Sequence, residues 1–240
     1  KNNLSKKSQL KLIEILHDYI KNLGVNINTE WDNYYYQTNY KEESYNIKKR
    51  ITREWFSSIK GRNLIDIGGN DGTFSRELKD VANFIIVADI DPNAVQQNYV
   101  QLQKNKEKYI LPIVVDVLNP ASSYGFDNQE RFSFINRVKD MKLDGCLALA
   151  VIHHITLSGN IPFDLSAKFF SRMAPNLLIE FPTRKDSWVE FLLNSKREFK
   201  NHFDFYNEEN FEKAYSVYFE IIKKETIYSS ERIVYSLKRR

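Results

Sequence analysis

Residues 63–75 constrain the fold of this chain more than any other stretch. Residues 64–67 are apolar and predict a strand, and residues 68–72 predict a glycine-rich turn after it. Phe74 and Leu78 then indicate the buried face of a following helix. Glycine lets the backbone turn tightly and approach a ligand without a β-carbon in the way. The new helix presents free N–H groups and a positive dipole end at the same place. The segment therefore predicts a ligand-binding strand–turn–helix unit.

The next unit indicates which kind of ligand binds there. A second apolar strand, residues 84–88, ends on Asp89, roughly twenty residues after the turn, where nucleoside-binding folds place an acid against ribose hydroxyls. Asp66 lies two residues before Gly68, and a carboxylate there would repel a pyrophosphate and suit a cationic amine. The pattern favours a nucleoside that carries an amine over a dinucleotide.

The order Asp66, Gly68, Asn70, Gly72 and then Asp89 resembles the class I S-adenosylmethionine-dependent methyltransferases. The resemblance implies S-adenosylmethionine as cofactor, with Asp66 and the turn at its methionine end and Asp89 at its ribose. Asn70 stands where the family often has glycine, and we interpret it as a permitted variant because asparagine tolerates left-handed backbone. The predicted cofactor-binding residues are Asp66, Gly68, Gly69, Asn70, Gly72, Asp89, Ile90, Asp116, Val117, Ala148, Tyr35 and Tyr36.

Two of these predictions have an open alternative. Asp116 ends the third strand, where the family often holds the adenine amino group, but it could instead cap the turn at Asn119 and Pro120. Tyr35 and Tyr36 belong to an aromatic segment, residues 31–40, that is either a lid over a cationic sulfonium or a staple for the N-terminal helices.

Strands alternate with helices from residue 63 onward, which predicts a parallel sheet with helices on both faces. Strands are predicted near 63–67, 84–89, 110–115, 144–151, 176–181, 217–224 and 231–237. The short link at 228–230 predicts an antiparallel pairing of the last two strands. The expected fold class is α/β, a doubly wound, seven-stranded and mostly parallel Rossmann-like sheet with a C-terminal hairpin, as is typical of class I methyltransferases. Residues 1–60 are predicted to form an N-terminal helical cap, and residues 61–240 the methyltransferase domain.

The exit of the fourth strand supplies candidate catalytic residues, His153 and His154. A histidine can take a proton near neutral pH, as O- or N-methyl transfer often requires, although one of the pair could simply cap the loop. Glu180 ends the neighbouring fifth strand and is the third catalytic candidate, whereas Asp186 is expected to cap a helix. No ligand spacing for zinc accompanies the histidines, and no metal is predicted.

A second likeness runs through nearly the whole chain. It resembles a bacterial methyltransferase group related to the rhizobial nodulation protein NoeA. This likeness strengthens the predicted enzyme class and says little about the methyl acceptor. The residues that carry it are 31–35, 119–120, 130–131, 147–154, 160–162, 179–181 and 203–206.

Composition narrows the remaining choices. The net charge of +4 is spread among interspersed acids and bases, which argues against nucleic acid as a partner. The single cysteine, Cys146, allows no disulfide within the chain, so we expect a cytoplasmic protein, and no apolar run is long enough to span a membrane. The chain opens on Lys1, and we expect a fragment or domain of a longer protein.

The sequence thus predicts an S-adenosylmethionine-dependent methyltransferase acting on a small molecule or glycan precursor. An enclosing aromatic segment suits such an acceptor better than an open basic groove does. The alternatives are an RNA methyltransferase, which would need a basic stripe, and a non-catalytic binding module that keeps the fold.

Overall fold

A computed structural model describes residues 4–23 and 42–240, and its centre is a seven-stranded sheet. The strands lie in the order β3-β2-β1-β4-β5-β7-β6, and the first five pair in parallel. β7 runs antiparallel between β5 and β6, which confirms the predicted C-terminal hairpin. The strands are β1 (Asn63–Ile67), β2 (Phe84–Asp89), β3 (Ile110–Val114), β4 (Gly145–Ala148), β5 (Asn176–Pro182), β6 (Phe219–Thr226) and β7 (Arg232–Arg239).

Helices connect the strands, and local capping signals set where several of them begin. Asp91 accepts a hydrogen bond from the Asn93 amide at the start of the fourth helix, and Pro92 occupies the first turn. Asp186 caps the seventh helix by accepting from the Trp188 amide, as predicted. The α-helices are α1 (Lys6–Lys21), α2 (Glu42–Ser58), α3 (Thr73–Arg76), α4 (Pro92–Asn105), α5 (Phe134–Asp140), α6 (Phe163–Ser171), α7 (Ser187–Ser195) and α8 (Glu208–Tyr215).

The inner parallel strands β1, β2, β4 and β5 are buried on both faces, so successive side chains enter two different cores. On one face Ile65 packs in a cluster with residues of α5, α6 and α8. On the other face Leu64 packs in a cluster that includes Trp55 and Phe56 of α2. Full burial of such a side chain is worth about 1.5–3 kcal/mol, so α2 is held firmly against the sheet.

The two N-terminal helices differ in how they relate to this core. No residue of α1 is buried. α2 buries Ile51, Trp55 and Phe56 and closes one side of the sheet. The domain boundary at residue 60 stays a prediction. Within residues 4–23 and 42–240, no helix combines the length and apolar character needed to cross a bilayer.

The strand order reverses beside β1, because β2 lies on one side of it and β4 on the other. In open parallel sheets the two crossover helices diverge at such a point and leave a crevice at the carboxyl ends of the strands. The turn after β1 and the turn after β4 both open into this crevice.

Candidate active site

A cavity of about 320 Å³ occupies the crevice at the carboxyl ends of β1 to β4. Its volume is at the lower end of the usual range for small-molecule sites. The cavity brings together residues that lie at or just beyond the carboxyl ends of the first four strands, with Lys48 from α2 and Phe74 from α3. Its lining is Lys48, Asp66, Gly68, Gly69, Asn70, Phe74, Asp89, Ile90, Val115, Asp116, Val117, Leu118, Leu149, Ala150, Val151, His154, Ile155 and Ser158.

The turn after β1 has a backbone that only certain residues can adopt. Gly68 has a φ of 70°, and a β-carbon there would lie 2.2 Å from a methyl group of Val151. Asn70 has a φ of 49°, which lies in the left-handed region that asparagine adopts more readily than most residues. The departure from the family pattern at Asn70 is therefore compatible with an intact turn. Gly72 caps α3 and does not line the cavity.

Asp66 lies at the end of β1 and is only 2% exposed. The Ser75 hydroxyl donates a 2.7 Å hydrogen bond to its Oδ2 atom. Burial nevertheless raises the pKa of Asp66 to about 7, because a carboxylate loses hydration there that one hydroxyl and the nearby Lys48 only partly replace. A further positive charge beside Asp66 would favour its ionised form.

Asp89 ends β2 and is held from two sides. Its Oδ2 accepts from the Asn70 amide at 2.8 Å, and its Oδ1 accepts from the Asp91 amide at 2.9 Å. Burial raises its pKa, and the amide hydrogen bonds act in the opposite direction. The two oxygens together offer about four acceptor directions, more than the backbone amides use. Asp89 can therefore receive hydroxyl donors in a fixed geometry.

A third carboxylate of the cavity lies just beyond the end of β3. Asp116 lines the cavity, and its Oδ1 accepts from the Leu118 amide at 2.9 Å in a local turn. Both sequence readings of Asp116 are thus compatible with its place. Ile90 and Val117 supply apolar wall on either side of it.

The exit of β4 is the most irregular backbone of the site. The strand ends at Ala148, earlier than the predicted residue 151, because Ala150 has a φ of 55° and the chain turns into a helix. A π-helical turn, His154–Ser158, follows. Left-handed non-glycine residues and π-turns are both uncommon and occur often at functional sites. Ala148 is buried in the strand, and Leu149 to Val151 line the cavity in its place.

The two histidines occupy different positions. His154 lines the cavity, whereas His153 lies behind it, 1% exposed, with the ring centroids 4.1 Å apart. Burial, and then the charge of Arg232, lower the pKa of His154 to about 4, and burial lowers that of His153 well below its usual range. Both imidazoles are neutral at pH 7. His154 alone of the pair can offer a neutral ring nitrogen to a molecule in the cavity.

A buried ion-pair network joins the cavity wall to the C-terminal hairpin, and sequence reasoning missed its two cations. Lys48 Nζ lies 2.6 Å from Oε2 of Glu180, and Arg232 Nη1 lies 3.3 Å from Oε1. Arg232 Nε also lies 2.7 Å from Oδ2 of Asp186. Lys48 could have been noticed, because it falls on the same helical face as Thr52 and Trp55. Nothing in the local sequence marks Arg232.

This network decides where Glu180 sits. Glu180 is fully buried behind Lys48 and does not line the cavity, so its contact with an acceptor stays a prediction. Tyr35 and Tyr36 lie outside the described residues, as does the whole segment 31–40. Within the part of the chain that is described, no group of His, Cys, Asp or Glu has the arrangement of a metal site.

Proteins of similar sequence and structure are known for this chain. No family model matches the chain. It is 30% identical over 242 aligned positions, 98% of its length, to the nodulation protein NoeA of Rhizobium meliloti strain 1021. It spans 49% of that relative. This similarity confirms the NoeA-related resemblance noted in the sequence.

The solved structures decide the fold. The N-methyltransferase NodS of Bradyrhizobium japonicum WM9, in complex with S-adenosylhomocysteine, matches 82% of this chain and 87% of its own with a TM-score of 0.57 and 11% identity. The chain has the class I methyltransferase fold. The magnesium protoporphyrin IX methyltransferase ChlM of Synechocystis PCC 6803, also with bound S-adenosylhomocysteine, matches 95% of this chain and 100% of its own with a TM-score of 0.54 and 14% identity.

In the class I methyltransferase fold of this chain, Asp66 and Asp89 end neighbouring strands on one side of the reversal point. The turn 68–72 runs between them and donates the Asn70 amide to Asp89. The β4 exit with His154 lies on the other side of β1. The cavity is thus bounded by two acids along one wall and a neutral imidazole on the other.

Proposed function

We propose that this chain is an enzyme that transfers a methyl group from S-adenosylmethionine to a small molecule or glycan precursor. The observation that carries the proposal is one cavity lined by both Asp66 and Asp89, at the reversal point of a class I methyltransferase sheet. The placement of individual site residues below is part of the proposal.

The cavity residues match the polar groups of the cofactor. Asp89, fixed by two backbone amides, accepts hydrogen bonds from the ribose hydroxyls. Asp66 receives the α-ammonium group, whose positive charge supplies what the buried carboxylate lacks. Ile90, Val115 and Val117 offer an apolar wall to the adenine, and Asp116 accepts from its amino group.

For methyl transfer, the protein mainly has to position the two reactants and remove a proton from the acceptor. Bound S-adenosylmethionine supplies an electrophilic methyl carbon attached to a positively charged sulfur. The turn at Gly68 and the wall at Leu149 hold the reactants in line and exclude water. His154 accepts the proton of the acceptor, which it can do at pH 7 because its imidazole is neutral.

The acceptor class rests on the shape and charge of the site. Among the described residues, the cavity lining contains one lysine, Lys48, and no arginine, so the phosphates of an anionic polymer would find few positive partners there. A small neutral or cationic acceptor needs no such partners. An RNA acceptor, the alternative, would need a continuous basic surface leading to the cavity, and the lysines and arginines of the sequence are interspersed with acids.

Calorimetric titration tests the cofactor part of this proposal. S-adenosylhomocysteine should bind the wild-type chain with one-to-one stoichiometry, and NAD should give no heat under the same conditions, since Asp66 faces the place where a pyrophosphate would lie. Binding of NAD in competition with S-adenosylhomocysteine, or no binding of either, would contradict the proposal. Methyl transfer to fractionated small molecules and to RNA then separates the two acceptor classes.

A further inference from the structure

We propose that Lys48 determines specificity for the cofactor by binding the carboxylate of its amino-acid end, and that Glu180 and Arg232 position it. This inference rests on the proposed use of S-adenosylmethionine. It adds a residue from α2 to a site otherwise built by the strand ends.

Lys48 reaches the cavity from the buried face of α2. The residue is 2% exposed and lines the cavity together with Asp66 and Phe74. Its Nζ atom lies 4.5 Å from the centroid of the Phe74 ring, in the first turn of α3. The ammonium group is therefore at the β1 end of the cavity, away from Asp116 on the β3 side.

The charges in the cavity are divided between its two ends. Among the described residues that line it, Lys48 is the only lysine or arginine, and His154 is neutral at pH 7. Asp89 and Asp116 stand at the β2 and β3 end without a cation beside them in the lining. Lys48 and Asp66 stand together at the β1 end, so that end alone offers both signs of charge.

A pair of opposite charges in one buried corner fits a zwitterion. An amino acid carries an ammonium and a carboxylate on the same carbon, so both must be matched at short range. Asp66 can take the ammonium and Lys48 the carboxylate. A corner with Asp66 alone would accept a simple amine equally well, so Lys48 is the group that distinguishes an amino acid from an amine.

Glu180 fixes the position of the lysine ammonium group. Its two oxygens are divided between Lys48, at 2.6 Å, and Arg232, at 3.3 Å. Arg232 also pairs with Asp186, so the four side chains balance as two cations and two anions. Burial lowers the pKa of Lys48 and Glu180 raises it, so a second carboxylate would also favour the charged form.

The competing explanation is purely structural: Lys48 would hold α2 against β5 and have no ligand. Both explanations predict that loss of Lys48 harms the protein. They differ on whether the loss depends on the carboxylate of the ligand, and a comparison of two ligands separates them.

The test measures calorimetric affinities for S-adenosylhomocysteine and for its decarboxylated analogue, which keeps the nucleoside, the thioether and the ammonium. Wild-type protein should bind S-adenosylhomocysteine about ten- to a hundredfold more tightly, the range expected for one charge-assisted contact. Lys48→Met should lose this preference to within about threefold.

Lys48→Met leaves Glu180 with one cation, and such a change can unfold a protein. The double variant Lys48→Met with Glu180→Gln removes both charges and should show the same loss of preference. The wild-type comparison needs no variant at all. Equal affinities for the two ligands in wild type, or a preference that survives in either variant, would overturn the inference, whereas failure of both ligands to bind wild type would overturn the proposed function with it.

Discussion

The hydroxyl of Ser75 donates a 2.7 Å hydrogen bond to the carboxylate of Asp66, which ties the end of β1 to α3 across the glycine-rich turn. This bond lowers the pKa of Asp66, but burial raises it by more, to about 7. The carboxylate that the fold places at the ligand site is thus costly to ionise in the free protein. Two predictions depend on that cost.

Asp66→Asn should stabilise the free protein at pH 8 while weakening S-adenosylhomocysteine binding. The folded pKa of about 7 lies above the ordinary value of 3.8, so Asp66 favours folding when protonated. Its contribution is fully present below about pH 4 and is lost as pH rises towards 7, at up to about 1.4 kcal/mol per pH unit. Urea unfolding at pH 5 and pH 8 should show a larger gain for Asn at pH 8. An equal gain at both values would contradict this.

Wild-type affinity for S-adenosylhomocysteine should fall as pH decreases below about 7, approaching tenfold per pH unit. Asp66 must be ionised to receive the ligand ammonium, and below its pKa the proton must first leave. Calorimetry between pH 5.5 and 8.5 measures the slope. In Asp66→Asn the slope over this range should disappear, and its persistence would assign the titration to another group.

Asp89→Ala should weaken S-adenosylhomocysteine binding about ten- to a hundredfold, because a carboxylate that accepts a hydroxyl is worth about 1.5–3 kcal/mol. Asp140→Ala is the matched control, since Asp140 is an exposed acid at the end of α5. Calorimetry on both variants, with circular dichroism to verify folding, makes the comparison. Unchanged affinity in folded Asp89→Ala would remove Asp89 from the ribose site.

His154→Ala should lower turnover at least tenfold and leave cofactor affinity nearly unchanged, as expected for a general base worth about 10²–10⁴-fold. The pKa of His154 is lowered to about 4, so wild-type turnover should not show a limb near pH 6.5 from this residue. Single-turnover rates with the identified acceptor test both points. A loss of cofactor affinity equal to the loss of turnover would instead give His154 a structural role.

Removal of residues 1–40 should leave a protein that folds and binds S-adenosylhomocysteine but no longer transfers methyl groups. The truncated chain keeps α2, whose Trp55 and Phe56 belong to the core, together with the entire sheet. Thermal unfolding and calorimetry check the first part, and a transfer assay checks the second. Full turnover in the truncated protein would show that the aromatic segment 31–40 is not a lid.

The sequence predicted the elements whose causes are local. The apolar run 64–67 and its glycine turn, the cap at Asp186 and the short link before β7 each depend on residues a few positions apart. The left-handed backbone at Asn70 was foreseeable for the same reason. The end of β4 was not foreseeable, because residues 147–152 are uniformly apolar and only the positive φ of Ala150 interrupts the strand.

By itself, the sequence determined the succession of strands and helices along the chain and the two acids that end β1 and β2. These features follow from hydrophobic periodicity and turn chemistry, which act over short distances. Tertiary structure alone decided which histidine faces the cavity and which cations surround Glu180. Lys48 and Arg232 come from opposite ends of the chain and meet at β5 only once the sheet has formed. The free energy of these buried ion pairs depends on how far the charges are removed from water, which no local sequence pattern encodes.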